Sequence, residues 1–393
     1  MKKSKISLIV IILLAFIISI IGNAYAVQET NFELESESVI LLDANTANVL
    51  YEKDADKKMP PASITKVMTL LLVMEAIDEG RVEWEEKIVA TEYAAQMGGS
   101  QIWLEPGEEM KLRDLVKAIA IVSANDACVA VAEHIYGTHD AFVAAMNDKA
   151  KELGMENSYF YNTNGLPSTD PEIEGNYTTA RDIAIMSREL LKYPKILDFT
   201  STWIDYIRDE ESFLRNTNNL VRFYQGADGL KTGYTQEAGF CVSATASKDG
   251  MRFIAVVMKA PNSQKRFSEA RELLNYAFSI HRSLSIAEKG EEVGQVKVFK
   301  GKVEEVTAVA KDDLNVTLLR GEEKEVIKQT RIDKEIVAPI EAGDKLGVIV
   351  ALKGEQELGR VELIAKDSVE KANFFMIIIQ TFKRFISKLM NVF

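Results

Sequence analysis

Two adjacent prolines followed by an apolar run mark the start of a helix in the first quarter of the chain. Pro60-Pro61 fixes the backbone angle φ and lacks amide N–H groups, so a helix cannot continue through this pair but can begin after it. Residues 67–76 are mostly apolar, and Gly80 is a suitable helix end. The pattern predicts a helix whose first turn holds Ser63, with Lys66 on the same face three residues later.

Ser63 and Lys66 are the residue types of a nucleophile and its base. A hydroxyl at a helix N-terminus faces the positive end of the helix dipole, which favours a developing negative charge. A nearby lysine can take the hydroxyl proton if its surroundings lower the pKa of the amine. The spacing S-x-x-K is short and arises by chance in long chains, so this pair alone does not establish catalysis.

The first 26 residues have the three parts of a signal peptide. Three lysines form a basic start, residues 6–21 are apolar, and Ala24-Tyr25-Ala26 matches a cleavage site with small residues. The apolar part is slightly long, so an uncleaved membrane helix is the alternative, but the cleavage motif favours removal. We predict an exported protein, whose net charge falls from −12 to about −15 when the three lysines are lost.

The composition excludes several classes of function. A net charge of −12 and a pI of about 5.1 argue against nucleic-acid binding. The three histidines (His134, His139 and His281) lack metal-ligand spacing, so we predict neither a metal site nor a cofactor. Export permits a disulfide between Cys128 and Cys241, but both lie in apolar sequence, so two buried free thiols are an equal alternative.

Hydrophobic periodicity predicts a helical region with strands before and after it. Four strands are predicted, the last two joined by a turn at Asp249-Gly250: 38–42, 48–51, 240–246 and 251–258. Besides the helix after Ser63, five helices are predicted, at 112–122, 126–135, 141–153, 179–191 and 266–280. A turn is predicted at residues 226–229. This order indicates one sheet that takes strands from both ends of the region.

Two different segments follow the predicted sheet. Residues 284–364 alternate short apolar strands with turns, which indicates a small all-β module without catalytic groups. In residues 369–393, Phe and Ile recur at helical spacing opposite polar residues, among cations at Lys371, Lys383, Arg384 and Lys388. The cations interrupt the apolar run that a spanning helix needs, so we predict an amphipathic helix in the membrane interface. Packing of this helix on the β module or on a partner is the alternative.

Lysine is the base that the sequence offers to Ser63. No histidine lies in a motif-like loop, and a G-x-S-x-G sequence is absent around Ser63. Ser123-Ala124-Asn125 interrupts two apolar helices, where a loop can aim a hydroxyl and an amide into a cleft. Lys231-Thr232-Gly233 precedes the predicted strand 240–246 and combines a cation and a hydroxyl with a glycine that permits close backbone approach. Each motif is weak alone, but their order together with the export signal favours a serine enzyme.

The ordered set S-x-x-K, S-x-N and K-T-G resembles that of the penicillin-recognising serine enzymes. Nearly the whole mature chain resembles a D-alanyl-D-alanine carboxypeptidase, a low-molecular-mass penicillin-binding protein of peptidase family S11. Further segments carry this resemblance: Gly98-Gly99-Ser100, Asn164-Gly165-Leu166, Thr179-Ala180-Arg181-Asp182 and residues 228–235.

The resemblance implies a serine β-lactamase/transpeptidase-like domain in residues 27–282. Such a domain is of the α/β (α+β) class, with an antiparallel sheet and a helical subdomain. A small all-β domain at residues 283–367 and an amphipathic terminal helix at residues 368–393 follow it. Members of this family use the helix to sit on the outer face of the cytoplasmic membrane, next to the cell wall.

The resemblance also implies a catalytic role for each motif. Ser63 attacks the carbonyl between the last two D-alanines of a peptidoglycan stem pentapeptide and forms an acyl-enzyme, while Lys66 accepts its proton. Ser123 passes a proton to the leaving amine with help from Lys231. Asn125 holds the amide of the peptide. β-Lactam antibiotics are then covalent inhibitors that acylate the same serine.

The remaining implied residues bind the end of the peptide. Thr232 and Arg266 hold the terminal carboxylate, although Arg266 also suits a solvated cation at the start of a helix. The backbone N–H groups of Ser63 and Tyr234 form the oxyanion hole, and Gly233 lets the substrate backbone come close.

Two alternatives to the peptidase stay open at the level of sequence. A serine β-lactamase of class A needs a glutamate in an E-x-x-L-N string, and residues 172–176 have its outer spacing but lack the leucine. We interpret this string as a loop and expect penicillin to stay bound on Ser63. A catalytically silent protein that binds the cell wall is the second alternative, against which the complete set of motifs speaks.

Overall fold

The two prolines precede a helix start, as predicted. A computed structural model describes residues 32–168, 170, 172–333 and 336–390, with side chains as far as residue 382. The predicted signal peptide, residues 1–26, lies outside the described residues. A 3₁₀ turn at Ala62–Thr65 leads directly into helix α1 (Lys66–Asp78), which is buried along most of its length. Within the described ranges, every helix is too short or too polar to cross a membrane.

The region before the all-β module, up to Ile280, contains nine α-helices among the described residues. After α1 they are α2 (Glu92–Ala95), α3 (Leu112–Ile121), α4 (Asn125–Tyr136), α5 (His139–Glu152), α6 (Ala180–Leu190), α7 (Leu197–Thr200), α8 (Leu220–Phe223) and α9 (Ser263–Ile280). Helix α6 begins after Thr179, whose hydroxyl accepts a hydrogen bond from the amide of Asp182 at 3.0 Å. The apolar faces of α1, α3, α4 and α6 form one large core with the sheet.

The main sheet takes strands from both ends of this region, as predicted. Its strands are β1 (Ser38–Asp43), β2 (Val49–Lys53), β7 (Ala227–Thr235), β8 (Gly239–Lys248) and β9 (Met251–Ala260), in the antiparallel order β2-β1-β9-β8-β7. The turn Asp249-Gly250 closes the hairpin between β8 and β9 with both residues at positive φ, which suits the twist of paired strands. Small two-stranded pairs are formed by β3 (Lys87–Val89) with β4 (Glu109–Lys111) and β5 (Ile204–Ile207) with β6 (Ser212–Arg215).

One predicted turn is wrong. Most of residues 226–229 belong to strand β7, which also contains the K-T-G motif, and β8 follows this motif as predicted. The pairing runs from Ala227 opposite Ala246 to Thr235 opposite Gly239. Residues rich in glycine and aspartate predict a turn locally, but the ladder with β8 stabilises the extended form. The motif therefore lies on an edge strand of the sheet.

An all-β module follows helix α9. Its strands are β10 (His281–Ala287), β11 (Glu292–Phe299), β12 (Glu305–Ala310), β13 (Leu314–Leu319), β14 (Val326–Ile332), β15 (Ile336–Val337), β16 (Lys345–Lys353) and β17 (Gln356–Ala365). A six-stranded sheet has the order β14-β16-β17-β12-β11-β15, and β10 pairs with β13. The mixed fold with an all-β second module confirms the predicted fold class. Strands β10 and β14 were not expected from the sequence, because β14 has exposed polar residues at most positions.

The terminal segment forms helix α10 (Phe374–Met390), later than the predicted start of the amphipathic segment. Val369 and Ala372 are buried, and Val369 exchanges backbone hydrogen bonds with Ile340 of the β module. In contrast, large apolar side chains are exposed on the helix: Phe374, Phe375, Ile378, Ile379 and Phe382. The amide of Gln380 donates to the carbonyl of Gly301 at 2.9 Å, so a polar position of the helix contacts the β module.

Candidate active site

The backbone around Ser63 is held in an unusual shape by its neighbours. Ala62 has a positive φ of 49° and is buried, and the amide of Ile64 donates to the carbonyl of Pro61 at 3.1 Å. Gly165 packs directly against this turn, since a Cβ atom on it would lie 1.8 Å from the carbonyl oxygen of Ala62. The turn carrying Ser63 thus depends on close backbone contact with a distant segment.

Lys66 is the centre of the hydrogen-bond network. Its Nζ lies 3.0 Å from Ser63 Oγ, 2.6 Å from Asn125 Oδ1 and 2.8 Å from the carbonyl oxygen of Asn164. The side chain has no exposed surface, and this burial lowers the pKa of the amine to about 8. About a tenth of the amine is therefore neutral at pH 7 and half of it at about pH 8, and this neutral form is what a general base for Ser63 requires.

The S-x-N motif lies beside this network. Ser123 is buried at a positive φ of 65°, and its Oγ has no hydrogen-bond partner among the described residues. Asn125 opens helix α4, and its amide groups donate to the carbonyls of Ser100 (backbone N, 2.7 Å) and Gly98 (Nδ2, 2.6 Å). A buried hydroxyl without a partner thus lies at a strained backbone position, two residues before an asparagine whose Oδ1 and Nδ2 each have one partner.

The K-T-G motif of strand β7 lies against the turn that carries Ser63. Lys231 is buried, and its Nζ donates to the carbonyl of Thr232 at 2.9 Å. Burial holds the pKa of this lysine well below its ordinary value, and the charges of Lys66 and Arg266 act in the same direction. A Cβ atom on Gly233 would lie 2.8 Å from the carbonyl oxygen of Pro61, so this glycine allows strand β7 to approach the serine turn.

Arg266 and Tyr234 complete the set of predicted residues. Arg266 Nη1 donates to the carbonyls of Gly233 at 3.1 Å and Cys241 at 3.3 Å, and burial lowers the pKa of its guanidinium to about 10. Tyr234 is exposed, and its ring lies 4.3 Å from the ring of Phe240. Arg266 is therefore a buried cation beside the K-T-G strand rather than a solvated one at a helix start.

Eight of the nine predicted site residues lie in five elements, namely the 3₁₀ turn, α1, α4, β7 and α9, and Ser123 lies in the short segment between α3 and α4. Direct contacts join Lys66 to Ser63 and Asn125, and Arg266 to Gly233, and Thr232 Oγ1 bonds Thr217 Oγ1 at 2.7 Å. Their roles in catalysis stay predictions. A cavity of about 460 Å³ opens beside residues 60–62, between residues 165–168 and Thr235 at the end of β7.

Sequence reasoning missed several groups that position the site. Asn176 ends the string of residues 172–176, which forms a loop as predicted. Its side chain, however, is buried. Its Nδ2 donates to Thr65 Oγ1 at 2.9 Å, and its Oδ1 accepts from the amides of Tyr161 and Asn162 at 2.7 and 3.0 Å. The local sequence does not distinguish a buried asparagine from a solvated one, so it gave no signal for Asn176. The resemblance had drawn attention only to the nearby residue Asn164.

Both cysteines are free and buried, so the alternative of two buried free thiols holds and the disulfide does not form. Cys128 lies in α4 close enough to Lys66 and Lys231 to interact with their charges, while Cys241 lies in β8. Burial raises the pKa of each thiol to about 11. Among the described residues, His, Cys, Asp and Glu side chains form no group of three or more that could hold a metal ion.

Two segments of the chain match known protein families. Residues 23–262 match peptidase family S11, D-alanyl-D-alanine carboxypeptidase, and residues 282–371 match the C-terminal domain of penicillin-binding protein 5. The D-alanyl-D-alanine carboxypeptidase DacF of Bacillus subtilis (strain 168) is 41% identical over 386 residues, which cover 97% of this chain and 98% of that protein.

Solved structures agree with these matches. The peptidoglycan synthesis regulatory factor PBP3 of Streptococcus pneumoniae superposes with a TM-score of 0.71 at 29% identity, covering 86% of this chain and 100% of that one. Penicillin-binding protein D2 of Listeria monocytogenes, in an ampicillin-bound form, gives a TM-score of 0.58 at 33% identity, covering 63% of this chain and 99% of that one. The chain therefore belongs to the S11 family of D-alanyl-D-alanine carboxypeptidases, the low-molecular-mass penicillin-binding proteins, and is a serine peptidase.

Proposed function

We propose that Ser63 is the nucleophile that removes the terminal D-alanine from peptidoglycan stem pentapeptides, with Lys66 as its general base. The observation that carries this proposal is the 3.0 Å contact between Lys66 Nζ and Ser63 Oγ in a site that lowers the amine pKa to about 8. As Ser63 Oγ bonds to the carbonyl carbon, its proton moves to the neutral amine, and a tetrahedral oxyanion forms.

The leaving D-alanine needs a proton on its amine. Ser123 Oγ is buried without a hydrogen-bond partner among the described residues, two residues before Asn125, which bonds Lys66. It is therefore available to give a proton to the leaving nitrogen and to take one from a lysine. Lys231 is the second cation that supports this relay, because its buried charge lies close to that of Lys66. Cleavage of the C–N bond then leaves an ester on Ser63.

Binding of the peptide end uses the other predicted residues. The backbone N–H groups of Ser63 and Tyr234 would stabilise the oxyanion, and loss of one such donor typically lowers the rate about 10²–10³-fold. Thr232 and Arg266 would hold the terminal carboxylate, which the positive potential of the buried cations attracts. Asn125 would bind the peptide amide.

The edge position of β7 supports one direction for the bound peptide. Strand β7 is an edge strand, so an extended peptide can pair with it by backbone hydrogen bonds. If the carboxylate lies at Thr232 and the scissile carbonyl lies at Tyr234, the earlier stem residues continue past Thr235. They reach the cavity of about 460 Å³ at that end of the strand.

We propose in addition that β-lactam antibiotics acylate Ser63 and are released slowly. The ampicillin-bound form of the Listeria relative supports this. Glu172 is an exposed residue of a turn, so the E-x-x-L-N-type deacylation of a class A β-lactamase has little support here.

The proposed domains are residues 27–282, 283–367 and a terminal anchor. We place the exported protein on the outer face of the cytoplasmic membrane, held there by the exposed apolar side chains of α10.

The decisive assay is release of D-alanine from diacetyl-Lys-D-Ala-D-Ala by the mature protein. The wild type should release it, and Ser63→Ala should not. If no pentapeptide or tripeptide is cleaved, the silent cell-wall-binding alternative is favoured. Fluorescent penicillin separates the β-lactamase alternative, because a long-lived labelled band is expected and rapid turnover of the drug would exclude our proposal.

A further inference from the structure

One tryptophan near the site is exposed in a strained backbone conformation. Trp103 has 75% of its surface exposed and a φ of +60°, a region that bulky side chains rarely adopt. Its neighbours Ile102 and Leu104 are both buried. Because strain of this kind persists only where the surroundings impose it, the contacts of this segment need an explanation.

Asp126 holds the backbone on both sides of Trp103. Its carboxylate accepts from the amide of Ile102 at 3.0 Å and from the amide of Leu104 at 3.1 Å. Asp126 is buried in the first turn of α4, directly after Asn125. The same helix start that presents the S-x-N motif therefore fixes the tryptophan.

Arg208 holds the carbonyl side of the same segment. Its guanidinium donates to the carbonyls of Ile102 at 2.8 Å and Trp103 at 3.4 Å, and it is paired with Glu108 at 2.7 Å. Arg208 lies in the turn between strands β5 and β6. With the amides and carbonyls bound from two sides, the indole ring is directed into the solvent.

The hairpin that supplies Arg208 adds two more exposed rings. Tyr206 and Phe213 face each other across β5 and β6, with ring centroids 5.5 Å apart, and 44% and 54% of their surfaces are exposed. Ile207 and Leu214 on the opposite face are buried in the core. We call the three exposed rings of Trp103, Tyr206 and Phe213 the aromatic ledge.

Trp103 of the ledge follows directly on the segment that holds Asn125. Gly98 and Ser100, whose carbonyls hold Asn125, precede Trp103 in the same segment. Five residues of extended chain span at most about 17 Å, so the tryptophan lies within roughly that distance of Gly98. A polymer bound with its peptide at Ser63 can reach the ledge with a part that lies outside the cleft.

We infer that the aromatic ledge binds the glycan chain to which the stem peptide is attached. Flat aromatic faces pack against the apolar faces of uncharged sugar rings while polar edges stay hydrated. The hairpin turn carries acidic Asp209, Glu210 and Glu211, which disfavours an anionic lipid surface at this position. The inference rests on the proposed function, because it assumes a stem peptide carried by a glycan.

The first test compares one pentapeptide with and without its disaccharide. Trp103→Ala should lower kcat/KM about tenfold for the disaccharide form, because a tenfold loss corresponds to the energy of one good aromatic contact. The kcat/KM for the free peptide should stay within about twofold of the wild-type value. Trp103→Phe should retain most of the preference. Ile327→Ala, an exposed apolar residue of β14, is the matched control and should change neither value.

Loss of Trp103 must not act through the catalytic groups. The rate of acylation by fluorescent penicillin should therefore be the same in wild type and Trp103→Ala, since Asp126 and Arg208 still hold the backbone. Equal losses for both substrates, or a slower acylation, would show that the tryptophan only supports Asn125 and would overturn the inference.

A second test needs no catalysis. The Ser63→Ala protein should sediment with glycan strands from which the peptides have been removed, and the Ser63→Ala, Trp103→Ala double variant should not. Tryptophan-dependent binding to anionic vesicles, or tryptophan-dependent dimerisation, without glycan binding would contradict the inference. If the wild type cleaves no peptide but this pull-down succeeds, the proposed function fails and the ledge stands.

Discussion

Lys66 is a charged side chain in a place where water cannot reach it. Desolvation disfavours the ammonium form, and three hydrogen-bond partners compensate only partly, so the pKa of the amine falls to about 8. Burial thus costs interaction free energy of the charged amine and leaves an amine that can lose its proton near neutral pH, as the proposed base requires. The oxygen atoms of Asn125 and Asn164 keep the amine aimed at Ser63.

The rate of penicillin acylation should rise with pH and level off above about pH 8, because only the deprotonated amine can take the serine proton. Lys66→Ala should abolish acylation while circular dichroism shows a folded protein. Lys66→Arg should also be inactive, since a guanidinium does not lose its proton. Fluorescent penicillin labelling between pH 6 and 10 measures this, and full labelling of Lys66→Ala would refute the assignment of the base.

Gly165 and Gly107 offer a matched pair of backbone tests. Both have positive φ, at +82° and +84°, but a Cβ on Gly165 would meet the carbonyl of Ala62 at 1.8 Å, whereas Gly107 has nothing within 4 Å. Gly107→Ala should cost only the conformational strain, about 1 kcal/mol in the free energy of unfolding. Gly165→Ala should cost clearly more and slow acylation strongly, because the turn of Ser63 must move.

Urea unfolding and penicillin labelling of the two glycine variants decide this. Similar stability and similar acylation in both would mean that the serine turn does not depend on contact with residue 165.

At the level of elements, the irregular segments rather than the helices position the catalytic groups. Residues 159–166 supply the carbonyl of Asn164 and the close contact of Gly165, and the buried side chain of Asn176 ties this segment to Thr65. Residues 98–104 hold Asn125 in the same way from the other side. Helix α1 and strand β7 provide rigid supports, while these two loops determine where the amine and the amide lie.

The terminal helix should be separable from the β module if the cut is placed correctly. Removal of all residues after Asn373 takes away the exposed apolar helix but leaves buried Val369 and Ala372 in place. We expect this protein to leave the membrane fraction and to retain D-alanine release. Continued sedimentation with membranes would disprove the anchor.

Removal of all residues after Ser368 is the control for that cut. It deletes Val369, which is buried and bonded to Ile340, so the β module should lose about 1.5–3 kcal/mol of stability. A difference in urea unfolding between the two truncations would show that the module ends between these points.

On the scale of the whole molecule, the sheet connects distant parts of the chain, and both thiols are buried in the core of the same region. Strands β1 and β9 pair although more than 200 residues separate them, and Cys241 lies inside this sheet while Cys128 lies in the helical core. Burial and a thiol pKa of about 11 make both cysteines unreactive in the native state. We expect thiol reagents at pH 8 to modify them only as the catalytic region unfolds.

Labelling along a urea gradient measures this, with Ile327→Cys as an exposed control that should react at once. Rapid modification of Cys128 or Cys241 in the native protein would mean that the core opens locally.

The amino-acid sequence by itself determined the features that depend on nearby residues. The prolines and the apolar run defined the start of α1, Asp249-Gly250 defined a hairpin, and the order of the three motifs indicated the enzyme class. These features follow from backbone angles, from periodicity and from spacing, all of which a short segment contains.

Only the tertiary structure decided the chemistry of the site. The K-T-G motif lies on an edge strand because its strand pairs with β8 on one side and ends the sheet on the other. Asn164, Asn176 and Asp126 acquire their contacts from other segments of the chain. The lowered pKa of Lys66 likewise comes from burial, which no local sequence encodes. A side chain's partners and its exclusion from water are properties of the assembled core, and the proposed reactivity of Ser63 depends on them.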